Sequence, residues 1–450
     1  MMEVAKSLMK ILLYNPPMPY EGRSHKQTPL GLCYLSNAIK DIAECFVYDG
    51  NVLKDFYRFA SEYKPDVMGI SILTATYNTV VRSINELKRI LPHSYFIAGG
   101  IHASIFPEEI LKNGFDLVIR GEGEITFKEI IMKYEYFINK RSELEDVDGI
   151  SFWNGSSIVH TPDRKHITDL DTIAYPDRRN LPLQEYEHDS IITSRGCAFN
   201  CFYCSSSCYW GQRVRYRSAE NVFNEIKEIL DSGIDKIYFC DDNFTSNHKL
   251  VKDLCQMIIS NHLEFRWSAL TRVDTVNLEI LLLMRQAGCE VLSLGIENGT
   301  PSFMNETKKT SLKKTIDAFT MIKEAKIKTR TTWIVGLGKS YMDEKASFEL
   351  LKVILPDQVS VHALIPFPNT DAWNNPDKYN LIIDKKNINW DIMNMTYSPD
   401  LLNYIRYKHI SKGEIEELLL SVREEMKKYG YDGRERIFET FVDKDIVPVL

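Results

Sequence analysis

Short apolar runs and amphipathic stretches take turns along residues 9 to 138. MKILLY, CFVY, VMGISIL, YFIA and DLVI read as strands. Between them lie the helical patterns GLCYLSNAIKDI, a segment near 52 to 62, YNTVVRSINELKRIL, PEEILKNG and EGEITFKEIIMKY. Strand and helix in alternation predict a doubly wound parallel α/β sheet with helices on both faces. Residues 139 to 189 break the rhythm. DGISFWNGSSIVHT predicts a hairpin turning at Asn154-Gly155, and the proline-punctuated ITDLDTIAYPDRRNLPL reads as a linker. A second alternation opens at 190 with SIITS, KIYFC, FRWSAL, EVLSLGI, KTRTTWIV and QVSVHAL. Six β-α pairs predict a partial (βα)6 barrel of the TIM type, whose chemistry sits on the loops after the strands. The expected domains are 1–140, a hairpin and linker at 141–189, the barrel at 190–370, and a small helical carboxyl-terminal region at 371–450.

Composition narrows the class. The chain has 450 residues, 44% of them hydrophobic, and a formal charge of −7 without long single-sign blocks. Disorder and fibre are excluded, and a nucleic-acid partner is disfavoured. MKILLY is too short, and too abruptly ended by Pro16-Pro17, for a signal peptide or membrane span, so the chain is expected in the cytoplasm. In that reducing compartment nine cysteines point to metal or catalytic thiols rather than disulfides.

Four of those cysteines crowd into TSRGCAFNCFYCSSSC. Cys197, Cys201 and Cys204 stand as C-x3-C-x2-C directly after the strand IITS, and Cys208 follows. Three thiolates on one loop suit an iron–sulfur cluster with one iron left open for a ligand. A zinc knuckle using Cys208 as the fourth ligand is the competing reading. Cys33, Cys45, Cys240, Cys255 and Cys289 lie singly on apolar stretches and read mostly as buried small hydrophobes. Other polar residues fall at the barrel's strand ends: Asp241 and Asp242, Arg272, Glu297, and the backbone at Gly336.

TSRGCAFNCFYC resembles the cluster loop of the radical SAM superfamily, including the aromatic Tyr203 before the third cysteine. YRSAENVFNEIKEIL, KIYFCDDNFT, ALTRVDTV, LLLMRQAGCEVLSLGIENGT, WIVGLGKSYMDE and LIPFPNT are similar, in order and spacing, to that superfamily's barrel. The resemblance implies a [4Fe-4S] cluster on Cys197, Cys201 and Cys204. It also implies S-adenosylmethionine held by Tyr203, Asp241, Asp242, Arg272, Glu297 and Gly336, a 5′-deoxyadenosyl radical, and an electron donor such as flavodoxin or ferredoxin. The superfamily's glycine-glycine-glutamate motif is replaced by CDDN, so either Asp241 or Asp242 takes the ammonium contact.

In the first half, Ser71-Ile72-Leu73 and Gly99-Gly100 end successive strands, and RGEGE brings Gly121, Glu122 and Gly123 to the same edge. Small residues there let backbone approach a large flat ligand. The set resembles the S-x-L and G-G elements of cobalamin-binding domains, which implies a Rossmann-like domain holding cobalamin, with His102 as a further contact. A flavodoxin-like sheet whose glycines only turn corners is the alternative. His25 lacks the D-x-H-x-x-G frame, so cobalamin is expected without a histidine below cobalt. The two resemblances together imply a cobalamin-dependent radical SAM methyltransferase that moves a methyl group from methylcobalamin to an unactivated carbon or phosphorus of a small molecule or peptide. A relative that closes or contracts rings, and a non-catalytic metal or cluster protein, are the alternatives. Seven aromatics, Phe367, Trp373, Tyr379, Trp390, Tyr397, Tyr404 and Tyr407, line a pocket or pack the appended region.

Overall fold

The computed structural model describes residues 8–19, 27–134, 141–186, 188–393 and 399–428. The chain divides into two compact units, Met1–Tyr186 and Glu187–Leu450.

The first unit is built on seven strands: β1 (Lys10–Asn15), β2 (Glu44–Asp49), β3 (Val67–Ser71), β4 (Tyr95–Gly99), β5 (Leu117–Ile119), β6 (Ile150–Asn154) and β7 (Ser157–His160). They lie side by side in the order 2-1-3-4-5-6-7. The first five are parallel, and β1 sits between β2 and β3. That central place explains why KILLYN reads as one apolar run: Ile11, Leu12 and Leu13 are covered on both faces. The order reverses between β1 and β3, and a doubly wound sheet opens a crevice at such a point, outside the carboxyl ends of its strands.

The predicted hairpin forms, but it does not stand apart from the sheet. β6 pairs antiparallel with β5 and β7 with β6, so both strands extend the first unit. The proline-rich segment behind it is docked rather than free. Leu181 and Tyr186 enter the same hydrophobic core as Ile11 and Val67. Ser36 donates to the Asp177 carboxylate at 2.9 Å, and Tyr186 donates to Asp49 at 2.9 Å. Proline and charge give that segment a linker's composition; two apolar anchors and two buried carboxylates hold it down.

The second unit carries the parallel strands β8 (Asp189–Ile191), β11 (Lys236–Phe239), β12 (Arg266–Thr271), β13 (Cys289–Glu297), β14 (Lys328–Val335) and β15 (Gln358–Ala363), hydrogen-bonded in chain order. β8 and β15 are not paired with each other, so the six strands form an open, partial barrel. A short antiparallel pair, β9 (Ser194–Arg195) with β10 (Arg215–Tyr216), brackets the cysteine loop. The helix Ala219–Asp231 shows how local sequence sets these elements. Ser218 caps it by accepting from Asn221 N, and Val222, Phe223, Ile226 and Ile229 form its buried face. One charge sits on that face, Glu225, fully buried and paired with Arg217, whose guanidinium also donates to Ile192 O at 2.9 Å. The region after 370 is not purely helical. β16 (Leu381–Ile383) and β17 (Ile405–Tyr407) pair antiparallel ahead of the helix Lys412–Lys428. Among the described residues, no helix is long and apolar enough to cross a membrane.

Gly100 is the tightest backbone constraint at the first unit's ligand edge. Its φ is +93°, and a Cβ there would lie 2.8 Å from Ile72 O. Gly100→Ala is therefore expected to cost about 1–3 kcal/mol. Denaturant unfolding should show a lowered midpoint with an unchanged slope.

Candidate active site

At the carboxyl edge of the first sheet, the loops after β3 and β4 are stitched together. Ile72 N donates to Gly99 O at 2.8 Å and His102 N to Ile72 O at 3.1 Å. Ser104 extends the stitching: its hydroxyl donates to Gly100 O at 2.9 Å and accepts from Gly121 N at 3.0 Å. Around this frame the edge is open. A Cβ on Gly99 would come no closer than 4.0 Å to Ile119 O, and one on Gly121 would meet nothing within 4 Å. Ser71 is half-buried and Leu73 is 43% exposed, an apolar side chain presented outward. Gly123 packs close to Leu35, where a Cβ would lie 3.1 Å from Cδ2. An open edge lined by a hydroxyl, a leucine and bare backbone fits a large flat macrocycle such as cobalamin.

Two residues expected at this edge face elsewhere. His102 is fully buried between the rings of Tyr77 and Phe106, with Nδ1 3.4 Å from Thr74 Oγ1, and burial pushes its pKa down to about 3. It is a neutral interior residue. Glu122 is buried and accepts from Ile167 N at 2.8 Å, which anchors the chain after the hairpin. His25 and Tyr397 lie outside the described residues.

In the second unit the cysteine loop leaves β8 under close control. Asp241, at the end of β11, is buried and accepts from Thr193 N at 3.2 Å, Thr193 Oγ1 at 2.8 Å and Ser194 Oγ at 2.5 Å. Burial pushes its pKa up to about 6, against the opposing pull of these donors. Asp241 is thus committed to the loop's base. Asp242 is half-buried and accepts from Ser206, and its charge is felt at Cys197 and Cys204. Of the two acids, Asp242 is the one beside the thiols.

Arg272 also serves the loop. Its guanidinium carbon lies 3.5 Å from the centroid of the Phe199 ring, and its fork is filled by Asp274 at 2.9 and 2.8 Å. On the far side, Phe202 stacks on Tyr379 with centroids 4.0 Å apart, and Ala372 N donates to Phe202 O at 2.9 Å. Tyr203 stacks over Phe303 and lies near enough to Glu297 for that charge, after burial, to raise its pKa further. Glu297 ends β13 with a left-handed φ of 67°, and its side chain is well buried. One carboxylate oxygen is 3.7 Å from Lys308 Nζ, and the other has no hydrogen-bond partner among the described residues. Burial raises its pKa, and Lys308 pulls it back.

The thiols of Cys197, Cys201 and Cys204 are half-buried. Among the described residues no three His, Cys, Asp or Glu side chains are already gathered closely enough to hold a metal ion. The three cysteines are nonetheless electrostatic neighbours. Burial pushes the Cys204 thiol up to about 12, with Asp242, Cys201 and Cys197 adding to the rise. Three soft ligands on one pinned loop match an iron–sulfur cluster with an open corner. Cys208 is exposed, its thiol directed at Cys204 O at 3.7 Å. Next to this loop lies a cleft of about 580 Å³, lined by Phe202, Phe303, Lys309, Gly336, Gly338 and Tyr379 among others.

Sequence pattern misses one further residue here. Asn243 has its Oδ1 held by Thr271 Oγ1, Thr275 Oγ1 and Arg272 N, while its buried Nδ2 lacks a partner among the described residues. Its place as the last letter of CDDN is the only local signal for it.

Comparison with known proteins identifies two domains in the chain. The B12 binding domain model matches residues 23–131, and the Radical SAM superfamily model matches 191–351. The chain is a radical SAM enzyme with an amino-terminal B12-binding domain, and its cofactors are a [4Fe-4S] cluster, S-adenosylmethionine and cobalamin. Similar proteins include an "uncharacterized methyltransferase" of Pyrococcus horikoshii, 29% identical over 92% of this chain and 91% of its own length. An anaerobic magnesium-protoporphyrin IX monomethyl ester cyclase of Cereibacter sphaeroides is 25% identical over 76% of this chain and 59% of its own. The solved radical S-adenosylmethionine methyltransferase TsrM of Kitasatospora setae, with cobalamin and a [4Fe-4S] cluster bound, superposes with a TM-score of 0.72 at 17% identity. That likeness covers 92% of this chain and 91% of TsrM and shows a shared fold.

Because the space beside Gly99 is free, a larger side chain there should leave the fold intact and obstruct the ligand edge. Gly99→Val is expected to weaken retention of hydroxocobalamin at least about tenfold, read from the corrin absorbance after gel filtration. Its thermal midpoint should stay close to that of the parent.

Proposed function

We propose that this enzyme is a methyltransferase, moving a methyl group to an unactivated carbon or phosphorus centre of a small molecule or peptide. The observation that carries this reading is co-linearity. The Pyrococcus horikoshii relative named a methyltransferase is matched over 91% of its length, whereas the chain spans 58–74% of the anaerobic cyclases. The cyclase similarity supports the second reading, a ring-forming reaction on the same cofactors.

When bound, the cluster and S-adenosylmethionine supply a 5′-deoxyadenosyl radical and cobalamin supplies the transferable methyl group. The residues do the rest. Cys197, Cys201 and Cys204 hold the cluster, and Asp241 and Arg272 fix the loop that carries them. Asp242 and Glu297, the carboxylates with capacity left for a ligand, receive the S-adenosylmethionine ammonium and ribose hydroxyls. Asn243 donates an N–H of its side-chain amide to the same ligand. Tyr203 and the Gly336 backbone flank the nucleoside and exclude water from it. In the first unit, Ser71, Leu73, Gly99, Gly100, Gly121 and Gly123 form the cobalamin edge, while His102 and Glu122 brace the loops behind it. Leu73, 43% exposed, would offer an apolar contact to the ligand at that edge. The electron comes from a flavodoxin- or ferredoxin-like donor, and the thiol-rich site belongs in the reducing cytoplasm.

The two readings separate on the fate of one methyl group. Reconstituted protein, supplied with hydroxocobalamin, a reductant and S-adenosylmethionine deuterated on its methyl, should release S-adenosylhomocysteine and carry the label into the corrinoid fraction. Production of 5′-deoxyadenosine with an unlabelled corrinoid and no S-adenosylhomocysteine would favour ring formation.

A further inference from the structure

The loop that leaves β14 is shaped from a distance. Gly336 and Gly338 line the cleft beside the cysteine loop, and Gly336 adopts a φ of +105°. Both glycine N–H groups donate to one atom, Glu344 Oε1, at 2.9 and 2.6 Å. Glu344 belongs to the helix Tyr341–Ser347, and its side chain is 1% exposed. Its Oε1 accepts a third time, from His409 Nε2 at 3.0 Å, and the His409 side chain is 6% exposed. Two residues earlier, Tyr407 donates to Leu364 O at 2.8 Å. Its ring packs against Gly336 so closely that a Cβ there would lie 2.6 Å from Cε1.

A buried carboxylate is costly unless its oxygens are filled by donors. Here the two glycine amides and the imidazole fill Oε1 together, so each holds the others in place. Glu344 Oε2 and His409 Nδ1 have no hydrogen-bond partner among the described residues, which leaves this three-donor contact as the polar anchor of both side chains. Removing the imidazole leaves the carboxylate with the two glycine amides alone. Removing Glu344 leaves those amides to find water, and the loop loses its shape.

We infer that Glu344 and His409 are positioning residues for the glycine loop, and that the β17 segment is thereby a working part of the S-adenosylmethionine site. The inference rests on the proposed assignment of Gly336 to that ligand. It means that affinity for the nucleoside ligand depends on His409, a residue far along the chain from Gly336 and outside the barrel strands. The region after 370 is then no mere appendage: through Tyr407 and His409 it sets the cleft wall, and through Tyr379 and Ala372 it supports the cysteine loop.

Isothermal titration of cluster-loaded, cobalamin-loaded protein with S-adenosylhomocysteine tests this directly. His409→Phe keeps the ring's bulk and removes the donor, and should weaken binding about tenfold, the range expected for one hydrogen bond to a charged acceptor. His409→Gln restores an N–H and should bind within about threefold of the parent. Iron content and corrin absorbance should be unchanged in both. Equal affinity in His409→Phe and the parent overturns the inference, as does loss of iron together with binding in both variants, which would mark His409 as a general support of the fold. A parent protein that holds its cluster and fails to bind S-adenosylhomocysteine would instead overturn the assignment of the cleft.

Discussion

On the proposed assignment, three thiols within eight positions, Cys197, Cys201 and Cys204, present their sulfurs to one small inorganic core, and the contacts around their loop serve that requirement. A free loop of this length would lose the geometry to conformational entropy. The protein holds the start of the loop and both gaps between its cysteines. Asp241 collects donors from Thr193 and Ser194 at the loop's start, and Arg217 fixes Ile192 just before them. Arg272 lies on Phe199 within the first gap between cysteines, and Tyr379 on Phe202 within the second. Each contact is modest alone. Together they immobilise the loop from three directions with groups that are not themselves ligands.

The same logic explains the division of labour among carboxylates. Asp241 is buried and filled by donors from the loop, so it shapes; Asp242 and Glu297 accept less from the protein, so they remain available to a ligand. In the first unit the glycines divide similarly. Gly100 is required by its φ and by Ile72, and Gly121 by its φ of +73°, whereas Gly99 has both an ordinary φ and free space beside it. The first two shape the loops, and the third leaves the edge open.

Much of this is legible in the chain's own pattern. The order of strands and helices in both units follows from the period of apolar residues, because a buried parallel strand is a continuous apolar run and its helices carry one apolar stripe. Cys197, Cys201 and Cys204 are legible because their spacing is local. The roles of Arg272, Asp241, His102 and Glu122 are not, since a polar residue at a strand end looks the same whether it meets a ligand or another loop. His102 reads as a cobalamin contact until Tyr77 and Phe106 close over it. The proline-rich segment reads as a linker until Leu181 and Tyr186 enter the core. Ser104, Asn243 and the meeting of Glu344 with His409 depend on contacts between distant segments, which no local pattern carries.

The proposed centre of the enzyme is a metal core bound by Cys197, Cys201 and Cys204 with one position left for a ligand. The direct measurement is iron, sulfide and zinc per chain, with the paramagnetic resonance of the reduced centre before and after S-adenosylmethionine, in four single alanine variants. Cys197→Ala, Cys201→Ala and Cys204→Ala should each lose the centre, while Cys208→Ala keeps about four irons and a signal that shifts on adding S-adenosylmethionine. Zinc in the parent, or loss of metal in Cys208→Ala, would contradict a three-thiolate cluster.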